Sequence, residues 1–140
     1  MENNAVITVV STVESDGEKE QMEFVTEGKM ICGNSYRISY DTDDGTGSEL
    51  TMIRAGENEV AIYRKGGTES HLTVRKGERY VGHYDIGVAG MMVGVSGRDI
   101  RIDMNDDGGK IYLEYAIDIN SQHVSMNTVD IKVERIKESN

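Results

Sequence analysis

Apolar residues fall on alternate positions along most of this chain. Between Met91 and Thr128 they occupy Met91, Val93 and Val95, then Ile100, Ile102 and Met104, then Ile111, Leu113, Tyr115, Ile117 and Ile119. A period of two with no competing helical spacing predicts strands with one buried face. The turns fit the same reading. Gly97-Arg98 offers Gly where a type II′ turn needs positive φ, and Asp107-Gly108 is a pair favoured in type I′. Looping there sets Val95 opposite Ile100 and Val93 opposite Ile102, then Met104 opposite Ile111, Ile102 opposite Leu113 and Ile100 opposite Tyr115. A turn at Ser121-Gln122 keeps the phase through Val124 and Met126. The apolar series restarts at Val129, Ile131 and Val133, which predicts a β-bulge near Asn127-Thr128.

The first part of the chain reads the same way. A strand from Ala5 to Val13 is apolar on both faces, and Asp16-Gly17 supplies a type I′ turn that sets Ser11 opposite Met22, Val9 opposite Phe24 and Ile7 opposite Thr26. A three-residue loop at Cys32-Gly33-Asn34 then places Met30 against Tyr36, Gly28 against Ile38 and Thr26 against Tyr40, with Cys32 an inert loop thiol. Leu50, Met52 and Arg54 mark the next strand. Three-residue loops around Gly56, Gly66 and Gly77 pair Met52 with Ile62, Val60 with Leu72 and Val74 with Tyr80. The sum is an antiparallel meander of about eight to ten strands without a helix. Because a sheet must hide its edges, the expected architecture is one all-β domain over residues 1–140, an up-and-down barrel whose last strand returns beside the first.

Composition sharpens this picture. With 140 residues and 37% hydrophobic content the chain holds one core. It shows neither an apolar run of membrane-span length nor a leader pattern at its start, and its single cysteine fits a reducing compartment, so a cytoplasmic location is expected. Eight Met against one Phe and no Trp describe an adaptable interior. A net charge of −10 argues against nucleic acid or an anionic membrane as partner. The charge is uneven, at −8 over residues 1–50, +1 over 51–100 and −3 over 101–140. Arg54, Arg64, Lys65, Arg75, Lys76 and Arg79 form a basic zone that reads first as solvation and edge protection.

No cofactor is implied, since GxGxxG, Walker, Ser/His/Asp and GxSxG patterns are absent. The loop Asp41 to Glu49, DTDDGTGSE, crowds oxygen ligands around a glycine but lacks EF-hand spacing, and Asn105 to Gly109 is equally a turn. A hairpin at Lys76-Gly77-Glu78 sets His71 opposite His83, with Glu69 and Asp85 as the next pair. The favoured reading is two solvated histidines and no metal. The alternative is a zinc ion held by His71, His83 and Asp85, because opposed Cβ atoms lie about 4.5–5.5 Å apart. On the inner face, Arg64, Ser70 and Tyr84 gather near one end of adjoining strands, with Tyr80 further along. No acid follows Arg64 on that face in the four strands running from Leu50 to Tyr84, so an anionic ligand group is a candidate partner for it.

The order VTEGKM (Val25 to Met30), SELTMI (Ser48 to Ile53) behind an acidic Gly-rich loop, IYRKG (Ile62 to Gly66), VRKGERY (Val74 to Tyr80) and GGKIYLEYAIDIN (Gly108 to Asn120) resembles the uncharacterised bacterial YwiB-like family over nearly the whole chain. That resemblance implies a calycin, or lipocalin-like, β-barrel and a domain of unknown function. Members carry a Thr-Pro-x-Gly turn after the tyrosine here numbered Tyr84, whereas this chain has Asp85-Ile86-Gly87-Val88. The first functional expectation is therefore a non-enzymatic barrel for a small apolar or amphiphilic anionic ligand held at Arg64, Ser70, Tyr84 and Tyr80. The alternative is a protein interaction or regulatory module that uses the basic zone 54–79 or a strand edge, in a monomer or homodimer. No nucleophile, base and orienter come together to support an enzyme.

Overall fold

The computed structural model describes residues 3–43, 47–66, 69–84 and 93–136, with the side chains of residues 43 and 82–84 outside the description. Among the described residues ten strands follow one another: β1 (Ala5–Ser15), β2 (Glu18–Cys32), β3 (Tyr36–Asp43), β4 (Ser48–Ala55), β5 (Glu59–Lys65), β6 (Ser70–Arg75), β7 (Arg79–Tyr84), β8 (Val93–Asn105), β9 (Gly108–Ile119) and β10 (Gln122–Arg135). Every strand pairs antiparallel with its neighbours in sequence, and β10 returns beside β1 to close the ring. The fold is an all-β up-and-down barrel, as the alternation predicts. Among the described residues no helix is long and apolar enough to cross a membrane.

Turn chemistry sets the registers. Asp16 and Gly17 take φ of 51° and 79°, the paired positive angles of a type I′ turn, and Ser11, Val9 and Ile7 face Met22, Phe24 and Thr26 as expected. The β9–β10 hairpin uses Asn120-Ser121, at φ 50° and 68°, one residue before the expected Ser121-Gln122. The β8–β9 turn is Asp106-Asp107, not Asp107-Gly108, so Ile102 faces Ile111 and Ile100 faces Leu113. There Asn105 Oδ1 accepts a hydrogen bond of 2.8 Å from the Asp107 N–H, and the positive φ belongs to Gly108, already inside β9. The β2–β3 loop is likewise displaced. Cys32 remains in β2 opposite Tyr36, half-buried, and Met30 faces Ile38.

The expected Gly97-Arg98 hairpin does not exist. β8 runs straight through it with a bulge between Gly97 and Asp99. One extra residue on a strand changes its phase from odd to even as a tight turn does, which is why Val95 and Ile100 both face inward without a turn between them. Gly97 is required for another reason: a Cβ there would strike the Arg75 carbonyl, because the β6–β7 turn packs against it through Gly77 N–H to Gly97 O and Gly97 N–H to Glu78 O, each 3.0 Å. The second bulge lies between His123 and Ser125, not near Asn127. A single-residue correction at the Gly56 loop matters most. Ala55 faces Val60 and Ile53 faces Ile62, so Met52 points outward opposite Tyr63, since a slip of one residue reverses a strand's faces. In the next hairpin Val60 faces Val74 and Ile62 faces Leu72.

The two ends of the barrel differ. At the end holding the β2–β3, β4–β5 and β8–β9 turns, Ile7, Met30, Ile38, Val60, Val74, Ile111 and Leu113 are fully buried and pack solid. Each such side chain contributes about 1.5–3 kcal/mol by leaving water. At the opposite end the inward residues turn polar.

Candidate functional site

Cross-strand registers line up one inner row at the polar end. Tyr40 faces Thr51, Thr51 faces Arg64, Arg64 faces Ser70, and Ser70 faces Tyr84, carrying the row across β3 to β7. Arg64, Ser70 and Tyr84 are thus brought together as the sequence indicates, although only the backbone of Tyr84 is described. Tyr40 and Thr51 were missed. Thr51 is 3% exposed and bonds the Tyr40 hydroxyl; burial pushes the Tyr40 pKa above its ordinary value, while the Arg64 charge and the Thr51 hydrogen bond oppose the rise.

The one-residue correction in β4 also brings an acid onto this face. Glu49 lies in phase with Thr51 and Ile53, and its charge reaches Tyr40 as Arg64's does. The expectation of an acid-free face therefore fails. Among the described residues, however, no carboxylate forms an ion pair with Arg64. Across the barrel, the bulge in β10 turns Ser125 and Asn127 inward, and Asn127, 6% exposed, donates to Ser125 Oγ at 3.0 Å.

Between these polar walls lies a cavity of about 300 Å³, with Val9, Ile53, Ile62 and Ile131 around it and Arg64 and Asn127 on its lining. A wider cleft of about 700 Å³ opens sideways beside it between β2 and β3, sharing Met22, Phe24, Tyr40 and Arg64. The Phe24 and Tyr40 rings meet edge to face across that cleft, centroids 5.7 Å apart.

Other candidates stand elsewhere. Tyr80 sits at the far end of β7 from Tyr84, and its hydroxyl donates to Glu78 at 3.0 Å, so the structure does not bring it to Arg64. His71 does face His83. The His71 ring stacks on Tyr63 at 4.4 Å, and its Nε2 lies 3.2 Å from Thr73 Oγ1. Asp85, the reshaped segment 85–90 and the His83 side chain fall outside the described residues, as do residues 44–46 of the acidic loop. Among the described residues no three His, Cys, Asp or Glu side chains converge. The basic zone is partly neutralised, by Arg75 with Glu78 at 3.1 Å, Lys76 with Asp99 at 3.8 Å and Arg79 with Asp118 at 2.7 Å.

Fold and site together define an antiparallel β-barrel, ten-stranded among the described residues, with an apolar core at one end and polar inward residues at the other. A family model described as a domain of unknown function (DUF1934) matches residues 7–131, and the chain belongs to that family. It is 23% identical over 134 residues to the "Uncharacterized beta-barrel protein YwiB" of Bacillus subtilis (strain 168), with 95% of this chain and 94% of that protein covered. The crystal structure of that organism's ywiB protein matches with a TM-score of 0.78 over 96% of this chain and 93% of the other, again at 23% identity. The family resemblance read from the sequence therefore holds, and the structural likeness carries the fold.

Proposed function

We propose that the barrel binds one small amphiphilic anion, its apolar part in the interior and its charged end at Arg64. The observation that carries this is the unfilled space at the polar end: a cavity of about 300 Å³ with both apolar side chains and Asn127 on its walls, edged by a guanidinium with no ion-pair partner among the described residues. Ligand sites run to roughly 300–1,000 Å³ and combine apolar walls with a few placed polar groups, so this volume favours a short chain. Arg recognises a carboxylate or phosphate through two parallel hydrogen bonds. Such a role is non-enzymatic, and the single half-buried thiol, Cys32, fits a reducing, cytoplasmic setting. As an interaction surface the basic zone draws less support, because Arg75, Lys76 and Arg79 already hold acids of their own chain.

Titration with a fluorescent short-chain fatty acid tests the proposal. Arg64→Met is expected to weaken capture at least tenfold with little change in folding, and Glu49→Gln, which removes the acid on the same face, to strengthen it. Equal affinities in all three proteins, or no binding by the parent, would sink the reading.

A further inference from the structure

β2 is longer than its pairing with β3. All of Glu18 to Gly28 pairs with β1, but toward β3 only Lys29 to Cys32 find partners, opposite Tyr36 to Ser39. Continuing that register would set Gly28, Glu27, Thr26 and Val25 opposite Tyr40, Asp41, Thr42 and Asp43, and those pairs are not made. Gly28 is already buried against Ser39 and Tyr40, so among the described residues the barrel carries a slot with an unpaired strand edge over Glu18 to Glu27, ten residues or roughly 33 Å at about 3.3 Å per residue.

Which backbone groups face the slot follows from the hairpin. Residues flanking a two-residue turn form a hydrogen-bonded pair, and such pairs recur at every second position. From Ser15 and Glu18 onward, the even-numbered residues of β2 thus direct their N–H and C=O groups to β1. Gln21, Glu23, Val25 and Glu27 direct theirs into the slot. Apolar side chains stand exposed beside them, Met22 at 63% and Val25 at 62%, with Phe24 half-buried between. Over Gln21 to Glu27 the outer side of the edge is acidic through Glu23 and Glu27, while Lys19, earlier on the same side, pairs with Glu14.

We infer that this edge is a docking site for an extended, basic segment of a partner protein, added as a strand to β2. A free row of donors and acceptors selects an extended backbone. The alternation selects the sequence: apolar side chains on the inner side would cover Met22 and Phe24, and Lys or Arg on the outer side would meet Glu23 and Glu27. The inference does not require a bound ligand, although Met22 and Phe24 border the cavity as well as the slot.

The probe is a seven-residue peptide of alternating Lys and Val, titrated into the ¹⁵N-labelled full chain beside its Glu/Val counterpart and a version with Pro in place of the central Val. Amide shifts are expected over residues 21–27 with the Lys/Val peptide, and at least tenfold weaker binding of the other two. Glu23→Lys with Glu27→Lys should reverse the preference between the two charged peptides. Without peptide, the amides of Gln21, Glu23, Val25 and Glu27 should exchange with solvent faster than those of Met22, Phe24 and Thr26. Uniformly slow exchange, shifts confined to other strands, equal affinity for all three peptides or no binding to any would overturn it.

Discussion

Arg79 on β7 reaches past Gly94 on β8 and grips Asp118 on β9 with two hydrogen bonds, 3.0 Å from Nε to Oδ2 and 2.7 Å from Nη2 to Oδ1. A Cβ at Gly94 would strike both the guanidinium and the carboxylate, so the glycine is what lets the pair lie flat on the sheet. Among the described residues β7 pairs through two residues with β6 and four with β8, and the grip ties this short strand down. The hydrogen bond from Arg79 holds the Asp118 carboxyl below its usual value of 3.8, and a backbone bond from Ser121 acts in the same direction.

A carboxylate whose folded pKa is depressed contributes stability that is fully present above its unfolded pKa and lost as pH falls through the folded one. Asp118→Asn is therefore expected to melt below the parent at pH 7. The gap should close as pH falls from about 4 through the lowered pKa of Asp118. Thermal unfolding followed by circular dichroism at a series of pH values checks this. A gap that persists unchanged at the acid end would assign the effect to packing instead of charge.

Ile53 and Met52 are adjacent in sequence and opposite in fate, 2% and 46% exposed. Ile53→Ala should cost about 2–5 kcal/mol, the range for emptying a packed aliphatic site. Met52→Ala should stay within about 0.5 kcal/mol, as surface changes do. Urea denaturation of the two variants reads the phase of β4 directly, and a reversed order would restore the opposite face.

The bulge in β8 has its own test. Gly97→Ala drives a methyl group into the Arg75 carbonyl and should cost about 1–3 kcal/mol in the same urea experiment, the range for overpacking. Arg98→Ala, on the exposed neighbour, should be close to neutral. A neutral Gly97→Ala would mean that the β6–β7 turn does not pack where it is placed here.

Fold was legible in the chain because most inward positions are apolar and most turns carry Gly, Asn or Asp. The β1–β2 register, the opposition of His71 to His83 and the closure of β10 onto β1 all followed from those signals. The site was half legible. Arg64, Ser70 and Tyr84 emerged as a row because their strands keep phase with Ile62 and Leu72. Thr51 and Glu49 stayed hidden because the outer set of β4, Leu50 and Met52, is more apolar than the inner set at that end. Ser125 and Asn127 were missed for the same reason, since an inward polar residue registers as an interruption in an apolar count, and the bulge was assigned to the wrong place. Gly97 misled in a different way: a bulge and a tight turn produce the same phase change, and only the strand lengths distinguish them. Local rules break where polar groups are placed inside a barrel, which is where function is expected.

The central claim is that a ligand's apolar part enters the barrel, and methyl NMR reads that most directly. With Ile, Leu and Val methyl groups labelled, titration with a short-chain fatty acid is predicted to shift Val9, Ile53, Ile62 and Ile131 around the cavity. Exposed Ile31 and Val81 on the outer surface should stay in place, and intermolecular NOEs should connect the ligand chain to the inner set alone. Shifts on the outer methyl groups with the inner set unmoved, or no shifts at millimolar ligand, would contradict the account.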